Sequence, residues 1–152
     1  MKSYTIHLIR HGITQGNLDG KYIGSTDMPL CAEGVAQLQE LHKTYKYPQA
    51  EAYYTSPLLR CVQTLNILYP KVKSTPIEGL RECSFGEWEQ KTAADLASDP
   101  RFTEWIANGQ ATSPPGGESG PVFMQRVCAA FEKLVEDMMR SGISSAVLVG
   151  HG

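Results

Sequence analysis

The sequence predicts an α/β protein with three layers, a mostly parallel sheet sandwiched between helices. Three observations predict it. Strand-like and helix-like segments alternate along the chain, which is the order of a sheet built by crossover connections. The strand-like segments read as apolar runs suited to burial on both faces. Hydrophobic residues make up 41% of the 152, enough for a real core and too many for a disordered chain. Residues 4–10 (YTIHLIR) are rich in β-branched and aromatic side chains and stop at His11-Gly12, which predicts a buried first strand. Residues 12–31 hold Gly12, Gly16, Gly20, Gly24 and Pro29 without periodicity and read as a long loop of the functional kind. A helix is expected over 32–45, with Val35, Leu38 and Leu41 on one face. Residues 52–56 (AYYTS) form a second strand. Ser56-Pro57 then reads as an N-cap and first helical residue, with Leu58, Val62, Leu65 and Leu68 as the buried stripe.

The second half is less regular. A short strand is expected over 72–76, then brief helices over 92–97 and 101–108, and a breaker cluster over 111–120 (ATSPPGGESG). A long helix over 121–141 turns Phe123, Val127, Phe131, Leu134 and Met138 to the core and stops at Gly142. Residues 146–150 (AVLVG) form the last strand. No repeat, linker or low-complexity tract divides the chain, so one domain over 1–152 is expected.

Composition excludes several classes. Lys plus Arg number 14 and Asp plus Glu 16, so the net charge is 14 − 16 = −2, with pI near 6.1 and mean hydropathy −0.27. There is no basic excess to track a nucleic acid, and no apolar run long enough to span a bilayer. Met1-Lys2-Ser3-Tyr4 lacks the apolar block of a signal peptide. Cys31, Cys61, Cys83 and Cys128 lie 30, 22 and 45 positions apart, which reads as reduced thiols in a cytoplasmic protein.

In open α/β sheets, ligands bind beyond the carboxyl ends of the strands. Here the first strand ends in Arg10-His11, the second at Ser56 with Arg60 one helical turn on, and the last in His151. Two guanidinium and two imidazole groups at one edge make an anion site, and arginine forks match phosphate oxygens in pairs. Glu82 lies in an irregular stretch with aromatic neighbours, where a carboxyl group can keep its proton and act as an acid; nearby cations would shift it the opposite way. Taken singly, each of these has a structural reading. A lone His at a strand end is usually a satisfied structural residue, Arg60 alone a solvated helix residue and Glu82 alone a surface carboxylate. His7 and His42 keep that structural reading, and Trp88, Phe102 and Trp105 read as core before pocket wall. The conjunction at one edge is what points to chemistry.

The chain resembles the histidine phosphatase superfamily, the phosphoglycerate-mutase-like enzymes. The matching pieces are Leu8-Ile9-Arg10-His11-Gly12 with Thr14 and Asn17, Gly24 with Asp27, and Ser56-Pro57-Leu58-Leu59-Arg60. They continue with Leu80-Arg81-Glu82, Phe85-Gly86-Glu87-Trp88-Glu89, Pro115-Gly116-Gly117-Glu118-Ser119 and Val149-Gly150-His151-Gly152, in the family's order over essentially the whole chain. The resemblance implies a phosphoglycerate-mutase-like fold. It implies His11 as nucleophile forming a phosphohistidine, with Arg10, Arg60, Asn17 and His151 on the phosphate oxygens. Thr14 and Gly24 would line the substrate site, and Glu82 would be proton donor to the leaving alkoxide. It implies no cofactor and no metal, a small-molecule phosphate monoester as partner, and neither nucleic acid nor membrane.

Two other functions stand beside phosphatase. A phosphoglycerate mutase of this family has an acidic residue after the RHG triplet, where this chain has Ile13, and a longer insertion between the acid and the second histidine. Here Glu82 and His151 are 69 positions apart, and residues 85–89 resemble the small phosphatase branch that includes alpha-ribazole phosphatase. A non-catalytic phosphate binder is disfavoured by retention of His11, Glu82 and His151. Gln90 replaces the family's frequent glycine, and Cys31 its frequent Ser or Thr helix cap. Family members continue past the second histidine through a further strand and helix, so a C-terminally truncated chain is expected, with an open sheet edge and association, such as a homodimer, to cover it.

Overall fold

A computed structural model describes all 152 residues. Strands β1 (Thr5–Arg10), β2 (Ala52–Thr55), β3 (Thr75–Pro76) and β4 (Ser145–Gly150) form one sheet in the order β1-β4-β2-β3. Every pairing is parallel, as the alternation of elements requires. Helices α2 (Ala32–Thr44) and α3 (Leu59–Leu68) cover one face. There Leu38, Leu65 and Leu68 meet Tyr53, Val147 and Val149. The 22-residue α6 (Gly120–Ser141) covers the other, with Leu134 and Met138 against Ala146 and Leu148. The period-two alternation of side chains along β4 feeds both cores from one strand.

Leu65 is fully buried between α3 and β4. Leu65→Ala is expected to lower unfolding free energy by about 2–5 kcal/mol, read as a fall in the urea midpoint at unchanged slope. A shift within experimental error would mean that the α3 layer is not part of the cooperative core.

A third cluster lies between the layers' loops. Trp88, Leu96, Phe102 and Trp105 are buried together, with α4 (Ala93–Leu96) and α5 (Pro100–Ala107) supplying three of them. The two indoles lie 5.3 Å apart, edge to face. These aromatics are core, as the sequence favours, and do not wall the pocket. No helix is long and apolar enough to cross a membrane.

The structure corrects four expectations. The loop over 12–31 contains a short helix, α1 (Gln15–Leu18), held by a reciprocal cap between Thr14 and Asn17. Four residues around a glycine are too few to show a helical period. Ser56 is not the cap of α3: that helix starts at Leu59, whose N–H donates to Asp27 Oδ1 at 2.6 Å, with Leu58 at the N-cap. The Ser56 hydroxyl accepts from Leu58 N–H at 3.4 Å and lies 2.8 Å from His151 Nε2. The third strand is two residues, not five. Finally, Val127 and Phe131 of α6 pack against the second core as expected but, like Phe123, are only half-buried. They line a groove of about 560 Å³ with Leu8, which is 72% exposed on the edge strand β1.

Candidate active site

The parallel register aligns the ends of three strands. Arg10 pairs with Gly150, and Thr55 with Val149. Past the sheet the ladder continues for one more bond on each side: His11 N–H donates to the Gly150 carbonyl at 3.0 Å and Ser56 N–H to the Val149 carbonyl at 2.9 Å. That alignment carries His11, Ser56 and His151 to one edge although 45 and 95 positions separate them. The imidazole centroids of His11 and His151 lie 5.3 Å apart, inclined at 65°.

His11 Nδ1 donates to the Gly12 carbonyl at 2.6 Å, which leaves the lone pair on Nε2. Burial, then the charges of Arg60 and Arg10, pull its pKa below the ordinary imidazole value, against the opposing Gly12 bond. The ring is therefore neutral near pH 7, as an attacking nitrogen must be. Gly12 is itself pinned, its N–H donating to Thr64 Oγ1 at 2.9 Å, while Thr64 donates to the Arg60 carbonyl at 2.7 Å.

His151 is neutral for the same reasons. Burial and the neighbouring Arg60 and His11 push its pKa down to about 3. Its Nε2 lies 2.8 Å from Ser56 Oγ, and Nδ1 lies 3.9 Å from Glu82 Oε2. With the ring uncharged, that last contact is a neutral one and not an ion pair. Beneath the ring, Cys61 Sγ lies 3.6 Å from Nε2, fully buried, and its thiol pKa is pushed up to about 12 by burial. A protonated thiol adds no charge under the histidine.

Arg60 is 1% exposed. Its guanidinium donates from Nη1 to the Thr26 carbonyl and from Nη2 to the Gly24 carbonyl, both at 2.8 Å. The same segment is gripped from the other side by Glu89. Oε1 accepts from Gly24 N–H, Thr26 N–H and the Thr26 hydroxyl, and Oε2 from Phe85 N–H at 2.7 Å. Opposite charges thus clamp residues 24–26 against the pocket, with Arg60 supplying the cation beside both histidines. Arg10 stands exposed at the rim.

Glu82 lies between the clamp and His151. Burial lifts its pKa above the ordinary carboxylate value, although Cys83 N–H, donating to Oε1 at 2.8 Å, and both arginines oppose the shift. Desolvation outweighs the cations here, which decides a question with opposite answers at the sequence level. The Glu82 backbone is held by Arg126, which donates to the carbonyls of Gly79, Arg81 and Glu82 and is paired with Glu118.

The eight residues expected at the site fall into two groups. His11, His151, Arg60 and Glu82 converge, with Arg10 at the rim. Thr14 and Gly24 lie behind them: the Thr14 hydroxyl is fully buried and donates to Asn17 Oδ1, while both backbone polar groups of Gly24 are engaged by Glu89 and Arg60. Asn17 accepts from Thr14 through Oδ1, which leaves its Nδ2 donors uncommitted. Ser56, Glu89, Thr64 and Arg126 carry positioning bonds that the sequence reading does not assign. Ser56 and Glu89 are present in the quoted motifs, but their partners lie far along the chain.

A family model described as Histidine phosphatase superfamily (branch 1) matches residues 6–152. Adenosylcobalamin/alpha-ribazole phosphatase of Escherichia coli (strain K12) is 33% identical over 134 residues, covering 85% of this chain and 66% of its own length. The chain thus spans just under two thirds of that curated relative. The crystal structure of the alpha-ribazole phosphatase from Shigella flexneri superposes with TM-score 0.85 at 31% identity, over 96% of this chain and 73% of that one. A phosphoglycerate mutase structure from Thermus thermophilus superposes with TM-score 0.77 at 35% identity, over 97% and 77%.

Proposed function

This chain belongs to the histidine phosphatase superfamily, and from that premise we propose that it hydrolyses a small-molecule phosphate monoester through a phosphohistidine on His11. The observation that carries the reading is the tautomer of His11: Nδ1–H is spent on the Gly12 carbonyl, so a neutral Nε2 faces the second imidazole and the Arg60 charge. A monoester dianion repels anions, and a neutral nitrogen avoids that repulsion.

In the first step the Nε2 lone pair attacks phosphorus and the bond to the leaving oxygen breaks. Arg60, Arg10, Asn17 and His151 hold the equatorial oxygens, stabilising charge that develops there. Glu82 gives its proton to the departing alkoxide, which becomes the alcohol. In the second step water attacks the phosphohistidine and Glu82, now a carboxylate, takes the proton. Inorganic phosphate leaves and His11 is restored. Ser56 orients the His151 ring, and Glu89 with Arg60 holds residues 24–26.

The relatives named for alpha-ribazole make that ester a natural member of the substrate panel. The likeness to a solved phosphoglycerate mutase keeps transfer to a second hydroxyl as the other reading. The purified chain is expected to release inorganic phosphate from several monoesters without added bisphosphoglycerate, and to form an acid-labile phosphoryl adduct on rapid quench. Movement of phosphate only between phosphoglycerates would make it a mutase.

A further inference from the structure

The leaving oxygen has to lie within reach of Glu82, so the alcohol it carries must occupy the space that Glu82 borders. Glu82 lines a cleft of about 470 Å³ in which neither imidazole nor Arg60 takes part, and no residue lining it has an apolar side chain. Ser25 and Ser84 stand on its walls with their hydroxyl oxygens 3.3 Å apart, so one O–H is shared between them and the other is free for a ligand. Gly116 and Gly117 complete the wall without side chains.

The charges of the cleft are already matched. Arg81 is paired with Glu78, and Arg126 with Glu118 and three backbone carbonyls. Three carboxyl groups, Glu78, Glu82 and Glu118, face two guanidinium groups. A carboxylate on the alcohol would find no free cation to offset its desolvation. An alkyl or aryl alcohol would find no apolar surface in the cleft, and would leave the second serine O–H unused.

Resting on the phosphatase reading, we infer that this cleft selects an uncharged, polyhydroxylated alcohol, such as a pentose or short polyol, and refuses alcohols that carry a carboxylate. The phosphate pocket recognises the group that is transferred; the cleft beyond Glu82 recognises what is left behind.

The test is kcat/KM for phosphate release by the full chain from D-ribose 5-phosphate, n-pentyl phosphate, 3-phosphoglycerate and phenyl phosphate. Ribose 5-phosphate is expected to exceed both pentyl phosphate and 3-phosphoglycerate by about tenfold or more. Glu78, whose side chain is 74% exposed, can be changed without loss of packing, and Glu78→Gln frees the Arg81 charge. That variant is expected to narrow the gap between ribose 5-phosphate and 3-phosphoglycerate by about threefold. Equal rates on the three alkyl esters, preference for 3-phosphoglycerate, or an unchanged ratio in E78Q would overturn the inference. In those cases hydrolysis of phenyl phosphate keeps the phosphatase reading intact. Failure to cleave any of the four esters removes that reading, and this inference with it.

Discussion

His11→Ala is expected to lower turnover by about 10³-fold or more while phosphate still binds within several-fold of the parent affinity. Arg60, His151 and Asn17 remain in place in that variant, so the anion site keeps most of its donors. Only the atom proposed to form the covalent bond is gone. The small hole left by the ring opens to the pocket and fills with water, so no large loss of stability accompanies the change. Initial rates of phosphate release, with calorimetric titration of inorganic phosphate, separate the two effects. Rapid quench of the parent with labelled ester supplies the positive control, a phosphoryl adduct stable in base and lost in acid. Retention of a tenth or more of parent turnover by the alanine variant would take His11 out of the nucleophile's place. Loss of phosphate binding together with turnover would mean that His11 holds the anion instead of attacking it.

Glu82→Gln is expected to reduce hydrolysis of alkyl esters by about 10²–10⁴-fold, and that of p-nitrophenyl phosphate far less. An alkoxide cannot depart without a proton, whereas nitrophenolate departs without help. Rate against leaving-group acidity therefore isolates the acid from any general damage to the pocket. The pH profile supplies a second readout. As the proposed acid, Glu82 acts in its protonated form, so activity is expected to fall as pH rises through its pKa, which burial moves upward from the ordinary value. As the proposed nucleophile, His11 acts in its neutral form, so activity is expected to fall as pH drops through its pKa, which burial with the two arginines moves downward. The two shifts move the limbs in opposite directions, each extending the pH range over which its group is in the active form. In E82Q the alkaline limb should vanish and the acid limb persist. An alkaline limb unchanged in the variant would assign it to another group.

Much of this was legible residue by residue. Arg10-His11-Gly12, Ser56 to Arg60 and Gly150-His151 each lie at or directly beyond a strand end, and β1, β2 and β4 fall where strands are expected, while Arg81-Glu82 lies in the irregular stretch after β3. The long helix and its stop at Gly142 were readable because stripes and caps are interactions between near neighbours, while its Ser119 cap went unread inside the breaker cluster. The Thr14–Asn17 cap is equally local, yet α1 leaves no such trace, since one turn around Gly16 makes no periodic stripe.

What escaped is what depends on distance along the chain. Ser56 reads as a helix cap because its nearest neighbours in sequence suggest one. Its hydroxyl instead meets His151, 95 residues away, because β4 lies between β1 and β2 in the sheet. Glu89 has no mark in its own segment of its three bonds to Gly24 and Thr26. The direction of the Glu82 shift also needed the surrounding atoms, since burial and two cations pull it oppositely and only their geometry says which prevails.

The order of residues by itself determined the chemistry available: two imidazoles, two guanidinium groups and one carboxyl group, each at the end of an element whose boundaries short-range patterns encode. The tertiary arrangement, strand order together with the Arg126 and Glu89 contacts, decided that these groups meet, which of their hydrogens are spent on the scaffold, and which face of Leu8 or Phe123 is left bare. The physical reason is range. Caps, turns and amphipathic stripes act over a few residues and leave a trace in local sequence, whereas parallel pairing joins segments tens of residues apart through backbone groups that every residue shares.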